Sequence, residues 1–307
     1  MSATILLATG DGLVSLDGDG ATLAHDLAGR SVSSVAAADG RVHVALGQGG
    51  VHRRGPDGWE LLGLEGAEVW VVAAGPGGVV YAGLEPAALW RLGDGPPVEL
   101  SGLDAVEGHD SWHSPWGPAD LPTIVVDGPR LVVGVEVGGV AMSHDGGATW
   151  EARNEGLYED VHHVVADGPR LWATTGMGCY ASADEGRSWT WASEGLDRGY
   201  TQGLALAGGS RVVVSAASGP PPMWEEGGPE AALFAAEPAP GGDGATPRFE
   251  IVAEGFAGNV ERQGLAASGD LVVAGTGAGE LLVSRDGART FERVRSDLPP
   301  VTAVALA

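Results

Sequence analysis

Apolar residues in this chain gather in short runs rather than along a helical stripe. Seven β-rich runs of five residues recur: Ile5–Thr9, Val42–Leu46, Val79–Gly83, Leu131–Val135, Leu171–Thr175, Val212–Ala216 and Leu271–Gly275. Their starts are 37, 37, 52, 40, 41 and 59 residues apart. A four-stranded propeller blade occupies about 40–50 residues, so the two long intervals carry insertions. Most runs follow a tight turn such as Asp39-Gly40, Asp127-Gly128-Pro129 or Asp167-Gly168-Pro169, and before each turn lies another apolar strand, as in Val32–Ala38 and Val161–Ala166. We denote that preceding strand a, the run b, and the two strands after it c and d. A sheet this small cannot bury both faces alone, but seven packed radially can.

The pattern predicts an all-β fold, a seven-bladed β-propeller with four-stranded antiparallel blades in one domain. Residues 1–29 begin in a b strand, and Val301–Ala307 reads as an unattached a strand. Joining them as blade 1 (300–307 plus 1–29) closes the ring and removes an exposed edge. The other blades then run 30–66, 67–106, 107–157, 158–196, 197–256 and 257–299.

Composition agrees with many turns. The 307 residues include 52 Gly and 19 Pro, and the apolar fraction of 44% suffices for a core. The net charge is −24, and all 17 basic residues are Arg. Such an acidic surface repels phosphate backbones and anionic membranes, so neither nucleic acid nor membrane is expected as a partner. A salt-rich cell and a coding bias that favours Arg over Lys both remain open as origins of this balance. Cys179 is the single cysteine, which excludes an internal disulfide. The first residues lack a basic stretch followed by a long apolar core, and no apolar run reaches membrane-spanning length. The expected location is cytoplasmic.

Three c–d turns share a specific spacing: Ser143-x-Asp145-x-Gly147-x-x-Trp150, Ser182-x-Asp184-x-Gly186-x-x-Trp189, and Ser284-x-Asp286-x-Ala288-x-x-Phe291. The Asp can accept backbone N–H groups across the hairpin, Gly supplies the turn geometry, and the aromatic packs inward. Pro56–Trp59 looks like a worn remnant. These turns resemble the Asp boxes of sialidase-like, BNR-repeat propellers (the WD40/YVTN/BNR-like group). The resemblance implies that the boxes are structural and lie opposite the usual binding face. Sialidases also use an arginine triad, a Tyr–Glu pair and an acidic general acid. Here Arg41, Arg130, Arg170 and Arg211 open b strands at the wrong end of the sheet. Only Arg198 and Arg262 fall near d–a connections, which argues against sialidase activity.

Chemistry is therefore sought on the face made by d–a and b–c loops, around the central channel. The long connection into blade 4 carries His109, Trp112, His113 and Trp116, and the next leads through Asp160 to His162 and His163. Glu136 stands where other blades have Thr9, Thr175 or Thr276. The four histidines with Glu136 compose a candidate site for a single transition-metal ion (Zn, Fe, Mn or Cu); loop histidines and channel hydrogen bonding are the plainer explanation. No nucleotide cofactor is expected. Glu136, Asp160 and Tyr200 are the candidate catalytic groups. Arg262, Gln202, Trp112, Trp116 and Trp224 are the candidate substrate contacts, Arg262 for an anion or, alternatively, in a salt bridge to Glu261 or Asp160. The proline-rich insertion before Trp224 is expected to stiffen toward polyproline II, and 235–246 to be a flexible c–d loop.

Three functions stay open: a metal-dependent small-molecule enzyme, a non-catalytic scaffold for a ligand or protein partner, and a glycosidase pairing Glu136 with Asp160.

Overall fold

The structure is a computed structural model that describes residues 3–115, 117–224, 228–237 and 247–307. Trp116, and the part of the blade 6 c–d loop from 238 to 246, lie outside the described residues. The described residues make seven four-stranded antiparallel sheets, a seven-bladed β-propeller. Each strand alternates toward its two neighbouring blades, so the core is a set of apolar layers between blades. One such layer brings Trp172 and Cys179 of blade 5 against Leu204, Val214, Phe234 and Phe249 of blade 6. Burying a side chain of this size contributes about 1.5–3 kcal/mol.

Closure follows the pairing read from the sequence. The strand Val301–Leu306 lies antiparallel to Ile5–Thr9, with Ile5 opposite Leu306 and Leu7 opposite Val304. Gly12–Leu16 and Thr22–Asp26 complete blade 1.

The three Ser-x-Asp turns share one hydrogen-bond scheme. Asp145 accepts from the Thr149 N–H at 2.9 Å and the Thr149 hydroxyl at 2.7 Å, while the Ser143 hydroxyl donates to Asp145 and accepts from the Gly147 N–H. Asp184 with Ser188, Ser182 and Gly186, and Asp286 with Thr290, Ser284 and Ala288, repeat it. The backbone N–H of Thr149, with its hydroxyl, holds the Asp145 carboxyl down to about 2, and Ser188 does the same for Asp184. Ala288 occupies a left-handed backbone position (φ 63°) where the other two turns have glycine, a conformation that costs a Cβ-bearing residue more than glycine.

The blade 6 insertion departs from the expected extended form. Pro221–Met223 is a 3-10 turn, with the Met223 N–H donating to the Pro220 carbonyl. A local i→i+3 bond is available there because the first two prolines have no N–H to satisfy. No helix among the described residues is long and apolar enough to cross a membrane.

Candidate functional site

Small irregularities at the starts of the a strands build the channel mouth. The pairing of a with b shifts between Val69 and Val71, between Val161 and His163, between Thr201 and Leu204, and between Ala8 and Thr9 opposite Ala303 and Val301. A bulge leaves a residue unpaired and re-aims its side chain. The residues skipped are Trp70, His162, Gln202 with Gly203, and Thr302. Trp70, Gln202 and Thr302 line a cavity of about 570 Å³ at the channel mouth. Asp120, Glu136, Tyr200, Glu261, Arg262 and Gln263 line it too.

Two neighbouring side chains from blade 7 cross the channel. Gln263 donates to the Trp70 carbonyl at 3.1 Å and accepts from the Ser34 hydroxyl at 2.6 Å, tying blade 7 to blades 2 and 3. Arg262 reaches blade 4, where its Nη1 donates to Asp120 Oδ2 at 3.0 Å and its Nη2 to Glu136 Oε2. Its guanidinium carbon stands 5.9 Å from the Trp70 ring centroid. Asp120 is 4% and Glu136 8% exposed, so this is a buried ion cluster.

Burial pushes the Asp120 carboxyl up to about 7; Arg262 opposes this, and the charge and hydrogen bond of Glu136 add to it. Burial likewise opposes the charge of Arg262, but Asp120 and Glu136 outweigh it and the guanidinium holds its proton more tightly. Two carboxyls around one guanidinium cannot both ionise cheaply in a low-dielectric recess. A proton on Asp120, held toward Glu136, resolves the conflict near neutral pH. The expected alignment of Glu136 with Thr9 and Thr175 is off by one: Val135 pairs with Gly139 as Thr9 does with Gly12 and Thr175 with Gly178, and Glu136 takes the next position, that of Gly10 and Gly176. Thr9 and Thr175 donate to the carbonyls of Gly12 and Gly178 across their own b–c turns at 2.8 Å. Glu136, one residue further on, sends a carboxylate across the channel.

Beside the clamp, His162 is fully buried. Its Nδ1 pairs with the Thr201 carbonyl at 2.6 Å, its Nε2 faces Asp160 Oδ1 at 3.4 Å, and its ring lies 4.8 Å from Tyr200. Burial raises the Asp160 carboxyl, but His162 and then Arg262 outweigh that and hold it below the usual range. A Cβ on Gly176 would stand 2.2 Å from Asp160 Oδ2, so this turn needs glycine to admit the carboxylate. Burial, opposed by Arg262 and reinforced by Asp160, pushes the Tyr200 hydroxyl up to about 12, which keeps it a donor at neutral pH.

The structure disperses the four histidines. His109 stacks on Trp112 with ring centroids 4.6 Å apart, near Asp104 and Asp110. His113 pairs with the Ser111 carbonyl through Nδ1. Burial drives His163 down to about 4, where it is neutral. Among the described residues no group of three or more His, Cys, Asp or Glu is arranged to hold a metal ion. The bulge re-aims the unpaired His162 toward Thr201 and Tyr200, while His163 rejoins the ladder opposite Thr174, so the two rings meet different surroundings.

The aromatic candidates also separate. Trp112 packs against the apolar layer of blade 4 and over Gly138. Trp224 donates to the Gly219 carbonyl at 2.6 Å and meets Tyr200 edge-on at 6.2 Å, so it supports Tyr200 from behind. Gln202 accepts from Asn259 at 3.0 Å on the cavity wall. Arg262 is engaged by Asp120 and Glu136, not by Glu261 or Asp160 as a salt bridge there was expected to be. Sequence reasoning missed Asp120, Trp70 and Glu85 as site residues. Asp120 ends the long blade 4 insertion, and Trp70 occupies the position in blade 3 that His162 occupies in blade 5. Aligning the first positions of every a strand was the available signal.

No family model and no curated protein matches the chain. Solved structures share the fold. A putative 6-phosphogluconolactonase from Bacteroides uniformis matches with a TM-score of 0.68 at 15% identity, over 100% of this chain and 99% of that one. YCF48 from Cyanidioschyzon merolae matches at 0.59 and 16%, over 87% and 86%, and YCF48 has also been solved bound to a D1 peptide. A GH74 xyloglucanase from Xanthomonas campestris matches at 0.61 and 19%, over 96% of this chain but 47% of its own. The chain thus spans about half the length of that enzyme. At these identities the likeness is one of fold.

Proposed function

We propose that the channel mouth is a small-molecule site whose Asp120–Glu136 pair exchanges a proton with the bound molecule. The observation that carries this reading is the buried carboxyl pair under one guanidinium, with Asp120 near 7, in the wall of a cavity large enough for a ligand. A general acid works best with a pKa close to the operating pH, and perturbed groups in clefts mark functional sites. Asp120 would donate, Glu136 would accept, and Tyr200 and Gln202 would orient the ligand by hydrogen bonds. Trp70 offers an aromatic wall. The pairing of Glu136 with Asp160 for glycoside hydrolysis finds less support, because Arg262 engages one carboxylate and His162 the other.

The three Ser-x-Asp turns support placing the chain among the Asp-box, BNR-repeat propellers. They carry no catalytic role in this reading, since fold does not dictate activity. A scaffold role has one specific support: YCF48, of similar fold, has been solved with a peptide.

Ligand-observed NMR with a mixed set of sugars, amines and carboxylic acids tests the site. Gly277 lines the mouth, and a Cβ there would have no atom nearer than 3.9 Å. Gly277→Phe should therefore plug the mouth without disturbing the fold. Saturation transfer to at least one compound is expected, and its loss in the plugged variant. Transfer that survives the plug unchanged would place binding elsewhere and overturn the reading.

A further inference from the structure

The charges lining the mouth do not balance. Glu85, Asp120, Glu136 and Glu261 line the cavity, and Arg262 is the single cation among its described lining residues. Arg262 is already occupied by Asp120 and Glu136. Asp120 Oδ1 is buried and accepts no hydrogen bond, although the residue is 96% buried in a cavity wall. Trp70 is 38% exposed, and its Nε1 donates to Glu85 Oε2 at 2.9 Å, which sets a carboxylate at the edge of a ring that Arg262 approaches to 5.9 Å and that stays partly open to the cavity. A carboxylate beside an aromatic face is the arrangement that holds an ammonium or guanidinium group. An anion entering the same space would meet uncompensated carboxylates at short range.

We propose that the channel mouth takes an organic cation, an amine or guanidinium, seated between Trp70 and the carboxylates of Glu85 and Asp120. The inference rests on the small-molecule site proposed above and names the class of its ligand. Two sources share this chemistry: a free diamine or guanidino compound, and an arginine or lysine side chain of a peptide. The cation supplies the positive charge that the cluster lacks, so Asp120 gives up its proton as it binds, to a ligand amine that arrives neutral or, where the ligand is already protonated as agmatine is near neutral pH, to solvent. The charged groups facing Asp120 are Arg262 from blade 7 and Glu136 from the b–c turn of blade 4; Tyr200 faces Arg262 from blade 6. For a carboxyl that titrates near 7 when free and is ionised when bound, affinity rises about tenfold between pH 6 and pH 8.

Isothermal titration calorimetry of the whole chain tests this with four probes: agmatine, a blocked arginine tripeptide, sorbitol and glutarate. Agmatine is expected to bind at one site, more tightly at pH 8 than at pH 6, with a heat at pH 6 that varies with the ionisation enthalpy of the buffer as release of close to one proton requires, a variation that fades at pH 8. Asp120→Asn should abolish the pH dependence, and Glu85→Gln, further from the buried clamp, should weaken agmatine several-fold while leaving the melting temperature unchanged. Comparable binding of the tripeptide points to a peptide source, and its exclusion points to a free cation. Binding of sorbitol or glutarate without agmatine overturns the cationic class and leaves the site standing. Failure of all four probes overturns both readings.

Discussion

Replacing Arg262 with Met lowers the stability of this propeller by about 3–5 kcal/mol, the usual cost of removing one partner from a buried ion cluster. The side chain is 17% exposed, and its carboxylate partners are 6% and 10% exposed, so water replaces the lost guanidinium only in part. Two carboxyls would then face each other without a counter-charge. The loss shrinks in acid, where both are protonated. Adding Asp120→Asn and Glu136→Gln to Arg262→Met removes the stranded charges and should recover most of the stability. Urea denaturation of the wild type and these two variants at pH 5 and pH 8 measures this. A loss below about 1 kcal/mol for the single variant would match a surface pair instead.

The second large effect concerns closure. Removing residues 301–307 takes away the strand paired with Ile5–Thr9 and with it the buried side chains of Val301, Ala303 and Val304. The two valines alone represent roughly 3–6 kcal/mol of burial, against a typical domain stability of about 5–15 kcal/mol. The truncation also bares the Ile5–Thr9 edge, a template for association with other chains. Loss of a cooperative melt, with aggregation, is expected. A truncated chain that melts within a few degrees of the full one would show that closure contributes little.

The repeat was legible because it rests on local rules. Alternating strands, Asp-Gly turns and the Ser-x-Asp spacing each act over fewer than ten residues, and together they specify seven blades and the closing strand. The site was less legible because its contacts are long-range. Arg262 meets partners 142 and 126 residues away in sequence, and no local pattern announces that reach. Glu136 could be singled out as a carboxylate at a b–c turn, although it stands one position past the threonine column, where blades 1 and 5 have Gly10 and Gly176. Asp120 could not, because nothing nearby shows that the end of a long insertion would be buried. The histidines misled through their clustering in sequence: a loop of two 3-10 turns, Ser101–Ala105 and His109–Ser111, holds His109 against Trp112 instead of sending it to the channel.

The state of the Asp120 carboxyl tests the central claim most directly. Infrared difference spectra across a pH titration resolve the protonated carboxyl stretch, and Asp120→Asn identifies which band belongs to this residue. The account predicts one carboxyl that stays protonated past pH 6, titrates near 7 and is missing from the Asp120→Asn variant. A wild-type protein in which every carboxyl is ionised by pH 5 would contradict it, and would leave the channel mouth with an ordinary ion pair and no proton to exchange.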